Sequence, residues 1–151
     1  MSSSEQIPFP GLFGLSIDRV PSNKKHPRVR VLLADDNVLI RQALQNVVEK
    51  CVRLEVVGEA SNGLEAIDAV RRLRPDVVVM DINMPQLNGI DATKCIKYEF
   101  PNTYIIGLSV EEGMSIVEQM QSAGIHSYLT KESAVEHLCR AIVEAVTDKG
   151  G

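Results

Sequence analysis

Five short Val/Ile/Leu-rich runs, each followed by a segment with apolar residues at helical spacing, constrain this chain more than any other feature. The first run, Val29 to Ala34, leads into a helix from about Asn37 to Lys50, whose Leu39, Ile40, Ala43, Leu44, Val47 and Val48 form one apolar stripe. A second strand, about Glu55 to Ala60, precedes a helix opened by Asn62 with Glu65 as capping-box partner. That helix presents Leu64, Ile67, Val70 and Leu73 and stops at Pro75. Strand three, Asp76 to Met80, is apolar on both faces, as an interior parallel strand should be. A loop with Pro85 and Gly89 leads to a third helix ending before Pro101. Strand four is Tyr104 to Ser109, and its helix runs from about Glu112 to Ser122, stopping near Gly124. Strand five, Ser127 to Thr130, gives way to a helix opened by Ser133 with Glu136 as box partner. Five βα units with short connections imply an α/β fold, a doubly wound parallel sheet with helices on both faces.

In such a sheet, ligands bind at the carboxyl ends of the strands. Asp35 and Asp36 follow the first run and Asp81 follows the third, while Ser109 and Lys131 close two later ones. An Asp-Asp pair after a strand is, by itself, a helix cap, and Asp36 or Asn37 could serve as one. With Asp81 and Lys131 at neighbouring strand ends, the metal reading prevails. Three carboxylates in one crevice repel unless a hard cation joins them, and carboxylate oxygens suit Mg²⁺.

Composition narrows the rest. The 151 residues fit one domain, and 44% hydrophobic with 24% charged residues reads as globular. A net charge of -4 gives no electrostatic support for nucleic-acid binding. No apolar stretch reaches membrane-spanning length, and the start lacks a secretory pattern, so a cytoplasmic location is expected. Cys51, Cys95 and Cys139 are widely spaced and read as small buried or half-buried apolar residues. His26, His126 and His137 are isolated and read as structural. Residues 1–27, with four prolines and two glycines between Ile7 and Pro27, form a tail or linker. Its Phe9, Leu12, Phe13, Leu15 and Ile17 are expected to dock on the domain, a second copy or a neighbouring module. Lys24-Lys25-His26 reads as a solvated hinge. The domain spans 28–147, leaving a short tail at 148–151.

The order Asp35-Asp36, then Asp81-Ile82-Asn83-Met84-Pro85, then Ser109, then Tyr128-Leu129-Thr130-Lys131 resembles the receiver domain of two-component response regulators. The wording around Lys131 is similar to receivers that precede LuxR-type output domains. The resemblance implies a flavodoxin-like, three-layered fold with strand order 2-1-3-4-5. It also implies a role: Asp81 accepts a phosphoryl group from a histidine kinase or phosphotransfer protein, and an interaction surface switches. On that reading Asp35, Asp36, Asp81 and the backbone carbonyl of Asn83 hold Mg²⁺. Lys131 pairs with Asp81 and then with the phosphoryl oxygen, Ser109 donates to it, and Tyr128 responds through the switch. The face of helix four, strand five and helix five, edged by Glu112, Glu118 and Tyr128, would meet a partner or a second copy. An output domain is expected to be missing from this chain, and the domain is expected not to be an enzyme acting on other substrates.

Two other classes compete. A Mg²⁺-dependent phosphatase with an Asp nucleophile favours an Asp-x-Asp pair, and the residue two after Asp81 is Asn83. A degenerate receiver used only for docking is disfavoured by the intact constellation. Two departures from the family pattern stand out. Glu132 rather than proline follows Lys131, so a trans bond is expected, and the bulky Val110 and then Glu111 follow Ser109 at the mouth of the site.

Overall fold

The computed structural model describes residues 27–110 and 113–150, the side chains of 148–150 excepted. The readings placed on the N-terminal tail, His26, Glu111 and Glu112 lie outside these residues. The elements are β1 (Val29–Ala34), α1 (Val38–Glu49), β2 (Leu54–Ala60), α2 (Gly63–Leu73), β3 (Val77–Asp81), α3 (Gly89–Glu99), β4 (Tyr104–Ser109), α4 (Met114–Ala123), β5 (Ser127–Thr130) and α5 (Lys131–Gly150). All strands pair in parallel, in the order β2-β1-β3-β4-β5.

Alternation along the strands builds two apolar layers. Val31 and Leu33 of β1, Val77 and Val79 of β3, and Ile106 and Leu108 of β4 pack against Leu44 and Val48 of α1 and Leu138 and Ile142 of α5. On the opposite face, Leu32, Val78, Met80 and Ile105 meet Ala66 and Val70 of α2, Ile96 of α3 and Met120 of α4. β3 is buried throughout, as its two-sided apolar sequence requires.

The helix starts explain several local differences from the sequence reading. Asn37, not Asp36, caps α1: its Oδ1 accepts from the amides of Leu39 and Ile40 at 2.9 and 3.2 Å. Neither acidic side chain of the Asp35-Asp36 pair is therefore spent on capping. Asn62 caps α2, but Glu65 reaches back to Ser61, accepting from its amide and hydroxyl at 2.9 Å, and not to the cap residue. The Ser133–Glu136 box does not form. Thr130 caps α5 instead, its Oγ1 accepting from the Ser133 amide at 3.1 Å, while Glu136 sits 3.7 Å from His137. No loop thus separates β5 from α5. No cis peptide bond occurs among the described residues.

Three apolar residues assigned to buried stripes are exposed: Leu39, Ala43 and Leu64. Leu39 and Leu64 lie in the first turns of their helices, at the carboxyl edge of the sheet, where no strand surface remains to cover them. Cys51 and Cys139 are half-buried as expected, but Cys95 is exposed on α3. The Cys139 thiol donates to the Val47 carbonyl at 3.4 Å, one of the orphan acceptors at the end of α1.

The loop after β3 rests on two bare backbone surfaces. A Cβ on Gly89 would collide with the carbonyl of Asp81, and one on Gly63 would lie 2.8 Å from the carbonyl carbon of Leu87. The Gly63 amide, at the start of α2, donates to the Leu87 oxygen at 3.0 Å. Between them Gln86 adopts φ 69° in a tight turn closed by Leu87 N–H on the Pro85 oxygen at 2.7 Å. Gly63→Ala should therefore force the loop off α2 and lower stability by about 1–3 kcal/mol, the usual cost of overpacking. Urea denaturation measures this, and an unchanged midpoint would show that the loop yields freely.

Candidate functional site: an acidic crevice at the strand ends

β1 and β3 are neighbours, so their carboxyl ends bring Asp35, Asp36 and Asp81 together. Oxygens from the three side chains lie within 4.8 Å of one another. Asp35 and Asp81 are fully buried, whereas Asp36 is exposed at the rim. Lys131, the first residue of α5, reaches across the crevice. Its Nζ donates to Asp81 Oδ2 at 2.9 Å and stands 3.1 Å from Asp35 Oδ2. The remaining oxygens of both buried acids have amide donors: Asn83 N–H on Asp81 Oδ1 at 3.0 Å, and Asn37 N–H on Asp35 Oδ1 at 2.8 Å. Ser109 is fully buried at the end of β4, one residue beyond Leu108, the register partner of Asp81.

The charges do not balance. At an effective dielectric near 20, two full charges within 4.8 Å repel by roughly 3 kcal/mol or more. One ammonium faces three carboxylates. Asp35 Oδ2, although ion-paired, has no aligned hydrogen bond despite complete burial. The Asp81 carboxyl is raised from 3.8 to about 6: burial is the largest cause, the Asn83 amide and Lys131 oppose it, and Asp35 adds to it. Burial alone would lower the ammonium of Lys131, but its contacts with Asp81 and Asp35 outweigh that and hold it above the ordinary lysine value. A hard cation with oxygen preference fits this donor set, and the under-satisfied Asp35 oxygen is the kind of atom such an ion would claim.

The strand-end residues singled out in the sequence are thus gathered at one edge of the sheet. Asp35, Asp36 and Asp81 are in mutual reach, and Lys131 contacts Asp35 and Asp81. Asn83 enters through its backbone, with its side chain exposed. Tyr128 lies apart on β5, opposite Gly107, and is 39% exposed. Val110, at the rim, is also exposed. Of the described histidines, His126 packs edge-on to Tyr104, with ring centroids 4.9 Å apart, and neither it nor His137 approaches the carboxylates as a metal ligand. A polar groove of about 430 Å³ between α3 and α4, lined by Asp91, Lys94, Ser115 and Glu118, contains none of the carboxylate cluster. Sequence reasoning missed Arg41, whose Nη1 donates to the Asp35 carbonyl at 2.7 Å; Gly89, read from the sequence as part of the loop after strand three, lets α3 approach Asp81.

The raised Asp81 carboxyl sets a pH dependence. A group with a folded-state pKa above its unfolded one favours folding below the unfolded value and loses that contribution as pH rises through the folded one. For Asp81 the window runs from 3.8 to about 6. In metal-free solution at pH 7.5, Asp81→Asn should raise unfolding stability by about 1–3 kcal/mol, with the gain gone near pH 4. Denaturation midpoints across this range report it, and a gain that persisted below pH 4 would point to another cause.

A family model described as the response regulator receiver domain matches residues 31–143. The chain is 41% identical over 102 residues to the chemotaxis protein CheY of Thermotoga maritima, covering 68% of this chain and 84% of that protein. It is 31% identical over 124 residues to the transcriptional regulatory protein DegU of Brevibacillus brevis, covering 82% of this chain and 52% of that one. The chain therefore spans about half the length of that regulator. The crystal structure of the response regulator domain of Thermotoga maritima CheB superposes with a TM-score of 0.75 at 34% identity, covering 80% of this chain and 97% of that domain. With its flavodoxin-like strand order and its strand-end acids, this chain belongs to the receiver domain family of two-component response regulators.

Proposed function

We propose that Asp81 is the phosphoacceptor of this receiver, and that Asp35, Asp36, Asp81 and the backbone carbonyl of Asn83 hold a Mg²⁺ ion beside it. The observation that carries this reading is the ammonium of Lys131 set between Asp81 and Asp35 inside an otherwise over-negative cluster. Asp35 and Asp81 share full burial, a contact with Lys131 and a loop amide, but of the three acids Asp81 alone is the last residue of β3, the middle strand of the sheet. The bound cation supplies charge neutralisation where two anions must meet.

The donor is a phosphohistidine on a histidine kinase or phosphotransfer protein. An oxygen of Asp81 attacks phosphorus, the P–N bond breaks, and the imidazole leaves with a proton from solvent. Lys131 then transfers its hydrogen bond from Asp81 to a phosphoryl oxygen, a charge-assisted contact available only in the modified state. The Ser109 hydroxyl, at the adjacent strand end, donates to the same group. Movement of the segment after Ser109 draws Tyr128 inward from its exposed position and reshapes the face of α4, β5 and α5. That face exposes Met114 besides Tyr128 and suits a partner or a second copy of the chain, whereas Glu118, expected at its edge, lines the groove between α3 and α4. The longer relatives support an output module joined to this domain in the complete protein. Asn83 standing two residues after Asp81 argues against the phosphatase reading. No helix among the described residues is long and apolar enough to cross a membrane, which accords with a cytoplasmic site of action.

Incubation with acetyl phosphate and Mg²⁺ should add one phosphoryl group by mass spectrometry, absent in Asp81→Asn and after chelation of the metal. Asp36→Ala should lose both the Mg²⁺ response and the labelling while remaining folded. Label retained on Asp81→Asn would overturn the assignment. Beryllofluoride with Mg²⁺ should move the amide signals of Val110, Gly113 and Tyr128 to Lys131. Shifts confined to the loop after Asp81 would remove the switch through Ser109 and Tyr128.

A further inference from the structure

The carboxylate cluster depends on the direction in which the chain leaves β1, and a side chain outside the cluster fixes that direction. Asp35 still donates its amide to Ala60 of β2 at 3.0 Å. Its carbonyl lies past the β1–β2 pairing, which stops at Ala34 opposite Ala60, so no strand residue is there to satisfy it. Arg41, one turn into α1, takes that role. Its Nη1 donates to the Asp35 oxygen at 2.7 Å, and its Nε donates to Glu59 Oε1 on β2, also at 2.7 Å. The Arg41 side chain is only 16% exposed.

We propose that Arg41 is a positioning residue of the metal site, clamping the peptide plane that joins Asp35 to Asp36. The inference rests on reading these two acids as Mg²⁺ ligands. A peptide unit is planar, so fixing the carbonyl of Asp35 also fixes the N–H and Cα of Asp36. The next peptide plane is held from the other side, by the Asn37 amide on Asp35 Oδ1. Asp36 thus hangs between two pinned planes. That matters because its carboxylate is exposed and has no buried surroundings to orient it. An ordinary surface ion pair with Glu59 would contribute little and would not move a metal ligand. The second donation, to a carbonyl that the sheet leaves unpaired, separates the two roles. Lysine cannot replace arginine here, because a single ammonium lacks the fork that donates from two fixed nitrogens to acceptors on different elements.

The test is Mg²⁺ titration of the full chain without a phosphate donor, followed by amide chemical shifts, alongside the Mg²⁺ dependence of labelling by acetyl phosphate. Arg41→Lys keeps the charge and should raise the Mg²⁺ midpoint by ~10-fold, the scale seen when partners that orient metal ligands are lost. Its labelling rate should recover at saturating Mg²⁺. Arg41→Gln, keeping one amide donor, should fall between Arg41→Lys and the parent chain. Glu59→Gln leaves an acceptor for Nε and should leave the midpoint unchanged. Amides of β3 and β4 report in each variant that the sheet is intact. A parent-like midpoint in Arg41→Lys overturns the proposal, as does a labelling deficit that added Mg²⁺ does not repair. If the parent chain itself neither binds Mg²⁺ nor is labelled at Asp81, it is the phosphoacceptor reading that fails. A responsive parent with unresponsive Arg41 variants sinks only the positioning role.

Discussion

The ammonium of Lys131 between Asp81 and Asp35 is the interaction on which the rest of the site depends. Gathering three carboxylates within 4.8 Å opposes folding. The protein tolerates it because every oxygen of the two buried acids faces a fixed donor or a cation: the Asn37 amide, the Asn83 amide, or Lys131. None of these donors is borrowed from the sheet. Each belongs to a loop or helix start just past a strand end, where the backbone has amides to spare. The functional cluster and the fold therefore meet at the βα junctions, and the packed layers below serve to hold those junctions in register.

Much of this was legible in residue order. β4 and β5 have the ends read from their apolar runs, Tyr104–Ser109 and Ser127–Thr130, with Pro101-Asn102 and Gly124 marking the turns before them. The gathering of the crevice was legible because acids, a serine and a lysine at strand ends are conspicuous against Val, Ile and Leu. What escaped has a common physical origin. Leu39 and Leu64 obey the helical period but stand where the sheet has run out, and periodicity does not encode the length of the surface beneath a helix. The cap of α5 was misplaced by three residues because Thr130, a strand residue by pattern, serves both elements. Arg41 went unmarked because its partner is a backbone carbonyl, which has no signature in side-chain spelling.

The two faces of the sheet carry different duties. The layer built on α1 and α5 supports the donors that hold the acids: α1 begins directly after the Asp35-Asp36 pair, and α5 begins with Lys131 itself. The layer built on α2, α3 and α4 supports the loop after Asp81, which leans on Gly63 of α2 and Gly89 of α3. The crevice is thus held from below by one layer and from the side by the other, and β3, buried on both faces, is the element they share.

The missing loop between β5 and α5 makes the last 20-residue helix a rigid lever. At 1.5 Å per residue it extends about 30 Å from the crevice. Its first residue carries the ammonium that touches Asp81, and no flexible joint lies between that residue and the helix end. Leverage of this kind runs in both directions. A contact that tilts the distal end of α5 works against the Lys131–Asp81 hydrogen bond, so the helix joins the crevice to whatever the far side of the domain leans upon.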